Sequence, residues 1–178
     1  YCSECGVGKY FDTGVCEDCA GGEFAATASL ACTQAQAGYY VSANLGSQVP
    51  CPAGTYSSID GATSNSTCTA CNKGEYGSAG SASCSKCPPG RFGNATGQTS
   101  KDSCGICDAG KYSDTEGATE CKTCSGNEAS LESGASVCLV CTAGKYRSSS
   151  DTCLDCAGGE FASAGATTCT PAQPGFYT

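Results

Sequence analysis

The chain of 178 residues contains no histidine, no methionine and no tryptophan. Without histidine, the commonest general base and the commonest metal ligand are both missing. Large apolar side chains are scarce as well, since Leu, Ile, Val and Phe together make up only about one residue in ten. So little apolar surface cannot offset the conformational entropy of folding, and composition alone would place the chain near the disordered class. A large single-core enzyme and a coiled coil fit it poorly, and 6 Pro with 25 Gly do not make a collagen. The longest apolar runs span a few residues, too short for a membrane span. No phosphate-cradling glycine loop and no paired acid and base stand out, so no catalytic residue, cofactor or metal site is expected and the chain does not read as an enzyme.

What the sequence has instead is 19 cysteines. At this density they must supply the constraint that the core cannot, and in a secreted protein they read as a disulfide framework. Asn65-Ser66-Thr67 and Asn94-Ala95-Thr96 are N-glycosylation acceptors, which adds weight to an extracellular location, secreted or at the cell surface. With 41 Ser and Thr, O-linked sugar is a further candidate. The net charge of −8 comes from 17 acids spread singly along the chain, which argues against nucleic acid and anionic membrane as partners. Tyr1 stands one residue before a cysteine with no basic and apolar leader ahead of it, so the chain reads as a piece of a longer one.

Cysteines recur as C-x-x-C pairs at 2/5, 16/19, 68/71, 84/87, 104/107, 121/124, 138/141 and 153/156, with singletons at 32, 51 and 169. Counting Gln48 as the lost first member of the pair ending at Cys51, eleven starts follow one another at about 17 residues, a tandem array of small units. Three residues after the second position of each pair comes Gly in every unit but one, where Asn127 takes its place, the pattern of a backbone position with φ > 0. Two residues further on come Tyr10, Phe24, Tyr40, Tyr56, Tyr76, Phe92, Tyr112, Tyr146, Phe161 and Tyr177, with Ala129 in the unit from Cys124. This aromatic is the only regular hydrophobic signal, and its expected role is structural, covering the neighbouring disulfide and stacking the units. The predicted fold is a small disulfide-rich repeat protein, an elongated rod of about eleven irregular β-hairpins with almost no helix.

The two broken pairs bear on connectivity. If the second cysteine of one pair bonds the first of the next, Ala35 and Gln48 would be partners, and both are missing together. The ladder is then Cys5–Cys16, Cys19–Cys32, Cys51–Cys68, Cys71–Cys84, Cys87–Cys104, Cys107–Cys121, Cys124–Cys138, Cys141–Cys153 and Cys156–Cys169, with Cys2 left over. A rival scheme links whole pairs, 2–16 with 5–19 and so on, and leaves Cys169. The ladder is preferred because it closes every unit alike. Four-thiolate zinc is a third reading, disfavoured by the sequons, the lack of histidine and the singletons.

A longer period overlies the short one. Residues 138 to 178 realign onto 2 to 41, so that Ala20-Gly21-Gly22-Glu23-Phe24 reappears as Ala157-Gly158-Gly159-Glu160-Phe161, and the cysteine missing at Ala35 is missing again at Ala172. Residues 1–137 therefore form one super-repeat of eight units, and 138–178 begin a second. The recurring defect marks a joint or a contact surface around the loop from Ala35 to Gln48.

The motif C-x-x-C-x-x-G-x-[YF]-x(n)-G-[AS]-x-x-C, clearest at Cys107, Gly110, Tyr112, Gly117, Ala118 and Cys121, resembles the ephrin-receptor-like cysteine-rich repeat, a relative in style of tumour necrosis factor receptor modules. The resemblance covers essentially the whole chain and implies stacks of disulfide-closed hairpins outside the cell. It departs at Ala35, Gln48 and Ala172 and in the unit from Cys124. Two functions are expected from these readings. One is an extracellular structural segment that assembles with itself into a filament or surface coat; the other is a ligand-binding ectodomain or stalk of a receptor, adhesin or protist surface antigen.

Overall fold

Three residues after the opening position of a repeat, a turn glycine folds the chain back on itself wherever that position is described. In this computed structural model, which describes residues 4–42, 46–125, 128–130, 132–149 and 152–173, Gly54 has φ +85° and Thr55 N–H donates to Pro52 O at 3.1 Å. Glycine with positive φ at the third position is the signature of a type II turn. A second turn follows the ring in the same way, as at Gly80 (φ +76°), where Ser81 N–H donates to Ser78 O. Ala28 occupies that second position in its repeat at φ +63°, a strained setting for a residue with a Cβ. The first repeat instead closes a longer hairpin through Thr13 (φ +43°) and Gly14 (φ +97°), both with the positive φ of a type I′ turn.

Between the turns lie short antiparallel hairpins. One strand carries the ring, and the other is formed by the two residues enclosed within C-x-x-C, so that Tyr56 faces Thr69, Tyr112 faces Lys122 and Phe92 faces Gly105. Ten such hairpins occur among the described residues. Among the described residues helix is confined to two 3-10 turns, Asn65–Thr67 and Lys101–Ser103.

Nine disulfides close the repeats: Cys5–Cys16, Cys19–Cys32, Cys51–Cys68, Cys71–Cys84, Cys87–Cys104, Cys107–Cys121, Cys124–Cys138, Cys141–Cys153 and Cys156–Cys169. Each joins the second cysteine of one pair to the first of the next. Every bridge spans 11 to 17 residues, and the two longest loops, Cys51–Cys68 and Cys87–Cys104, are those that contain the 3-10 turns. Cys2 and Tyr177 lie outside the described residues.

Contacts divide the chain into two compact units, Tyr1–Ser85 with Ala95–Ser103, and Lys86–Asn94 with Cys104–Thr178. Inside each, successive repeats are coupled by the same backbone hydrogen bonds. In the first unit Gly54 N–H donates to Gly77 O (2.7 Å), Ser57 N–H to Ser81 O (3.2 Å) and Gly80 N–H back to Cys51 O (2.9 Å). In the second, Gly110 N–H donates to Ser130 O, Ser113 N–H to Ala135 O and Gly134 N–H to Cys107 O. Each repeat thereby satisfies the backbone polar groups of its neighbours, as nearest-neighbour stacking requires.

Repeats two apart also touch, and here glycine is required twice over. A Cβ on Gly54 would lie 2.3 Å from Gly97 O in the first unit, and one on Gly90 would lie 2.0 Å from Gly134 O in the second. The backbone of one repeat thus rests directly on the second turn of the repeat after next.

The core is made of sulfur and small side chains. Cys5, Cys51, Cys71, Cys87, Cys107, Cys124 and Cys141 are buried, together with the residue just after the ring: Ala25, Val41, Ser57, Ser113, Ser130 and Ala162. The rings themselves are half-buried at Tyr10, Phe24, Tyr40, Tyr56, Tyr76, Phe92, Tyr112 and Tyr146, and Phe161 is 51% exposed. The regular aromatic is therefore half-exposed, and the fully buried positions belong to cysteine and to small side chains.

Candidate functional site

Three places along the array depart from the common repeat. The first is the third repeat, Ala35 to Gln48, where the cysteines are missing. Ala35 is buried in the position its neighbours give to cysteine, and its N–H still donates to Gly22 O at 2.8 Å, as Cys71 N–H does to Gly54 O. The covalent link is replaced by a side chain: Gln48 Oε1 accepts from Gln36 N–H at 2.9 Å. Asp60 Oδ1 accepts from Ala37 N–H at 2.7 Å, and Gly38 N–H and Val41 N–H donate to Ser57 O and Ala62 O. Among its described residues the repeat is thus held by hydrogen bonds and by the burial of Ala35 and Val41 in place of a disulfide. Glutamine at 48 is legible in the sequence only as a lost cysteine; its amide reaches across the gap because the hairpin Tyr39–Tyr40 with Val49–Pro50 keeps the common register.

The second is the eighth repeat, where the ring is missing. Ala129 faces Leu139 in the hairpin and is buried. A cleft of about 390 Å³ opens at this place, lined by Ala129, Ser130, Glu132, Gly134, Val137 and Leu139. Val137 and Leu139 on its rim, and Val140 beside Leu139, are each more than half exposed. The paired residues Leu139 and Val140 are the only two-apolar filling of a C-x-x-C in the chain that contains no proline or alanine. Asn127 lies outside the described residues.

The third comprises the two long loops. Asn65 and Asn94 are both exposed. Asn65 opens the 3-10 turn Asn65–Thr67, where Thr67 Oγ1 donates to Ser64 O and Cys68 N–H donates to Asn65 O, so the amide side chain stands clear of the backbone bonding.

The ionisable groups form exposed pairs along the hairpins: Lys9 with Asp18, Lys122 with Asp114 and Lys145 with Asp155, at 2.7, 2.8 and 2.6 Å. Lys122 Nζ donates to both oxygens of Asp114 and lies 5.8 Å from the Tyr112 ring centre. That hydrogen bond holds the Asp114 carboxyl below its ordinary value and Lys122 above its own. Among the described residues no group of three or more Cys, Asp and Glu is arranged to hold a metal ion. No helix there is long and apolar enough to cross a membrane.

Nine disulfides on a chain of repeated hairpins fit the oxidising conditions outside the cell and are compatible with a structural or ectodomain role there. No family model matches the chain, and no curated protein matches it.

Proposed function

We propose that the chain is a segment of an extracellular structural protein whose tandem repeats associate with copies of themselves into a filament or surface coat. The observation that carries this reading is the coupling between repeats. Each repeat offers the same N–H and C=O groups to the next, so the array extends by adding like units. The 136- to 137-residue period then sets identical surface features at equal intervals, and contacts between unlike faces of such a surface propagate without closing. The ephrin-receptor-like resemblance belongs to this proposal, as do N-linked glycans at Asn65 and Asn94, for which exposure of both side chains is the support. A non-enzymatic role is part of the same proposal, supported by the lack of histidine.

A ligand-binding ectodomain or stalk is the second reading, favoured by the cleft at Ala129 and its exposed apolar rim. Immuno-electron microscopy of the native extracellular material separates the two. Antibody raised against residues 1–178 should decorate regular filaments or a continuous coat. Isolated molecules tethered one by one to a membrane would overturn the structural reading in favour of the second.

A further inference from the structure

We propose that the third repeat is an extensible link, which lengthens by a set amount under tension while all disulfides stay intact. The inference follows from the order of the cross-links. Each bridge takes load from the cysteine where a repeat begins to the cysteine where it ends, so the residues inside it carry no tension. Cys5–Cys16 shields the first repeat, Cys19–Cys32 the second and Cys51–Cys68 the fourth, and so on to Cys156–Cys169. Load passes between bridges through the two residues inside each C-x-x-C, which already form strand, as at Thr69–Ala70 and Lys122–Thr123. Those links have no slack to give.

From Cys32 to Cys51 the sequence has no cysteine, and no bridge spans the stretch. There the backbone itself carries the load for 19 residues. Among the described residues its extension is opposed by the hairpin Tyr39–Tyr40 with Val49–Pro50, by the burial of Ala35 and Val41, and by hydrogen bonds: Gln36 N–H on Gln48 Oε1, Ala37 N–H on Asp60 Oδ1, Gly38 N–H on Ser57 O, Val41 N–H on Ala62 O and Gly61 N–H on Ala35 O. When these yield, the stretch can lengthen to at most about 65 Å, and no further, because the neighbouring bridges stop it. The same missing cysteine returns at Ala172, whose N–H rests on Gly159 O as that of Ala35 rests on Gly22 O. The device is thus placed once per super-repeat. It does not depend on the chain assembling, and the test is made on single molecules so that its failure leaves the filament reading untouched.

Residues 1–178, oxidised and held by non-cysteine tags at the two ends, are stretched singly in optical tweezers. Apart from the unbridged ends before Cys5 and after Cys169, the expected trace has one reversible opening step of no more than about 65 Å in contour length. Ala35→Cys with Gln48→Cys, its added bridge verified by mass, should abolish the step. Gln48→Ala should keep its length but lower its force. An oxidised chain with no step, a longer step, or a step that persists in the bridged double variant would overturn the proposal. If the double variant does not form its bridge, the Gln48→Ala trace decides: an unchanged opening force overturns it.

Discussion

Replacing Gly54 with alanine separates the two demands that this fold makes on its turn glycines. The first is conformational, because φ is +85° and a left-handed backbone costs an L-residue about 1–2 kcal/mol. Gly144 at φ +84° pays the same cost but has nothing within 4 Å of an added Cβ. At Gly54 the added carbon meets Gly97 O at 2.3 Å, more than 1 Å inside an ordinary contact of about 3.5 Å. Either the second turn of the sixth repeat retreats or Gly54 does. In the first case Gly97 N–H comes off Cys71 O (2.8 Å), and in the second Gly54 N–H comes off Gly77 O (2.7 Å). One such bond is worth about 1 kcal/mol net, and a buried group left unpaired costs up to about 3. Gly144→Ala should therefore lose about 1–2 kcal/mol of local stability and Gly54→Ala about 3–4, a further tenfold or more in opening. Native-state hydrogen exchange on the two oxidised variants reads this at Gly97 and Cys71 for the first site and at Cys156 for the second. Equal loss of protection in both would refute the contact between alternate repeats as the reason for glycine.

Two further predictions concern local effects. Cys107→Ser with Cys121→Ser opens a loop spanning 14 residues and should cost about 3 kcal/mol around the seventh repeat. Amides near Gly22 should keep their protection in the same exchange experiment, and loss of protection throughout the chain would contradict nearest-neighbour coupling. The Asp114 carboxyl should titrate below its ordinary value near 3.8, and Lys122→Ala should return it there, as read by carboxyl carbon NMR. Since the folded value is the lower one, the pair supports the native state above the unfolded pKa. That support disappears as the pH falls through the folded value.

Much of the architecture is written in the cysteines. Ala35 and Gln48 are lost as a pair, as a ladder that makes them partners would have it, but the sequence prefers that ladder over its rival only because it closes every unit alike. The glycine at 54 is equally visible, but its second reason is not, because nothing local to Gly54 names Gly97 as its neighbour. Hydropathy misdirects at the rings. Tyr56 is the conspicuous residue of its repeat, yet the buried one is Ser57 beside it, with its N–H on Ser81 O. A small residue after the ring recurs at Ala25, Ser113 and Ala162, and Ser130 holds the same place after Ala129, a signal present in the sequence but masked by its varied polarity. Ala129 reads as an eroded repeat. Only the exposure of Val137 and Leu139 on either side of Cys138 makes that repeat a cleft with an apolar rim.

The bridges have one more consequence, for the order in which the protein is made. Their spans follow one another without interleaving: Cys5 meets Cys16 before Cys19 appears, and Cys156 meets Cys169 after every other pair is complete. At a synthesis rate of about 5–20 residues per second, a partner at most 17 residues away emerges within about 3 s. Thiol–disulfide chemistry takes seconds to hours, so the right partner is at hand while the wrong ones are still few. Oxidation can therefore run from the amino end in step with export, each cysteine from Cys5 onward pairing with the one just before or just after it in the sequence, and the length of the array places no added burden on its maturation.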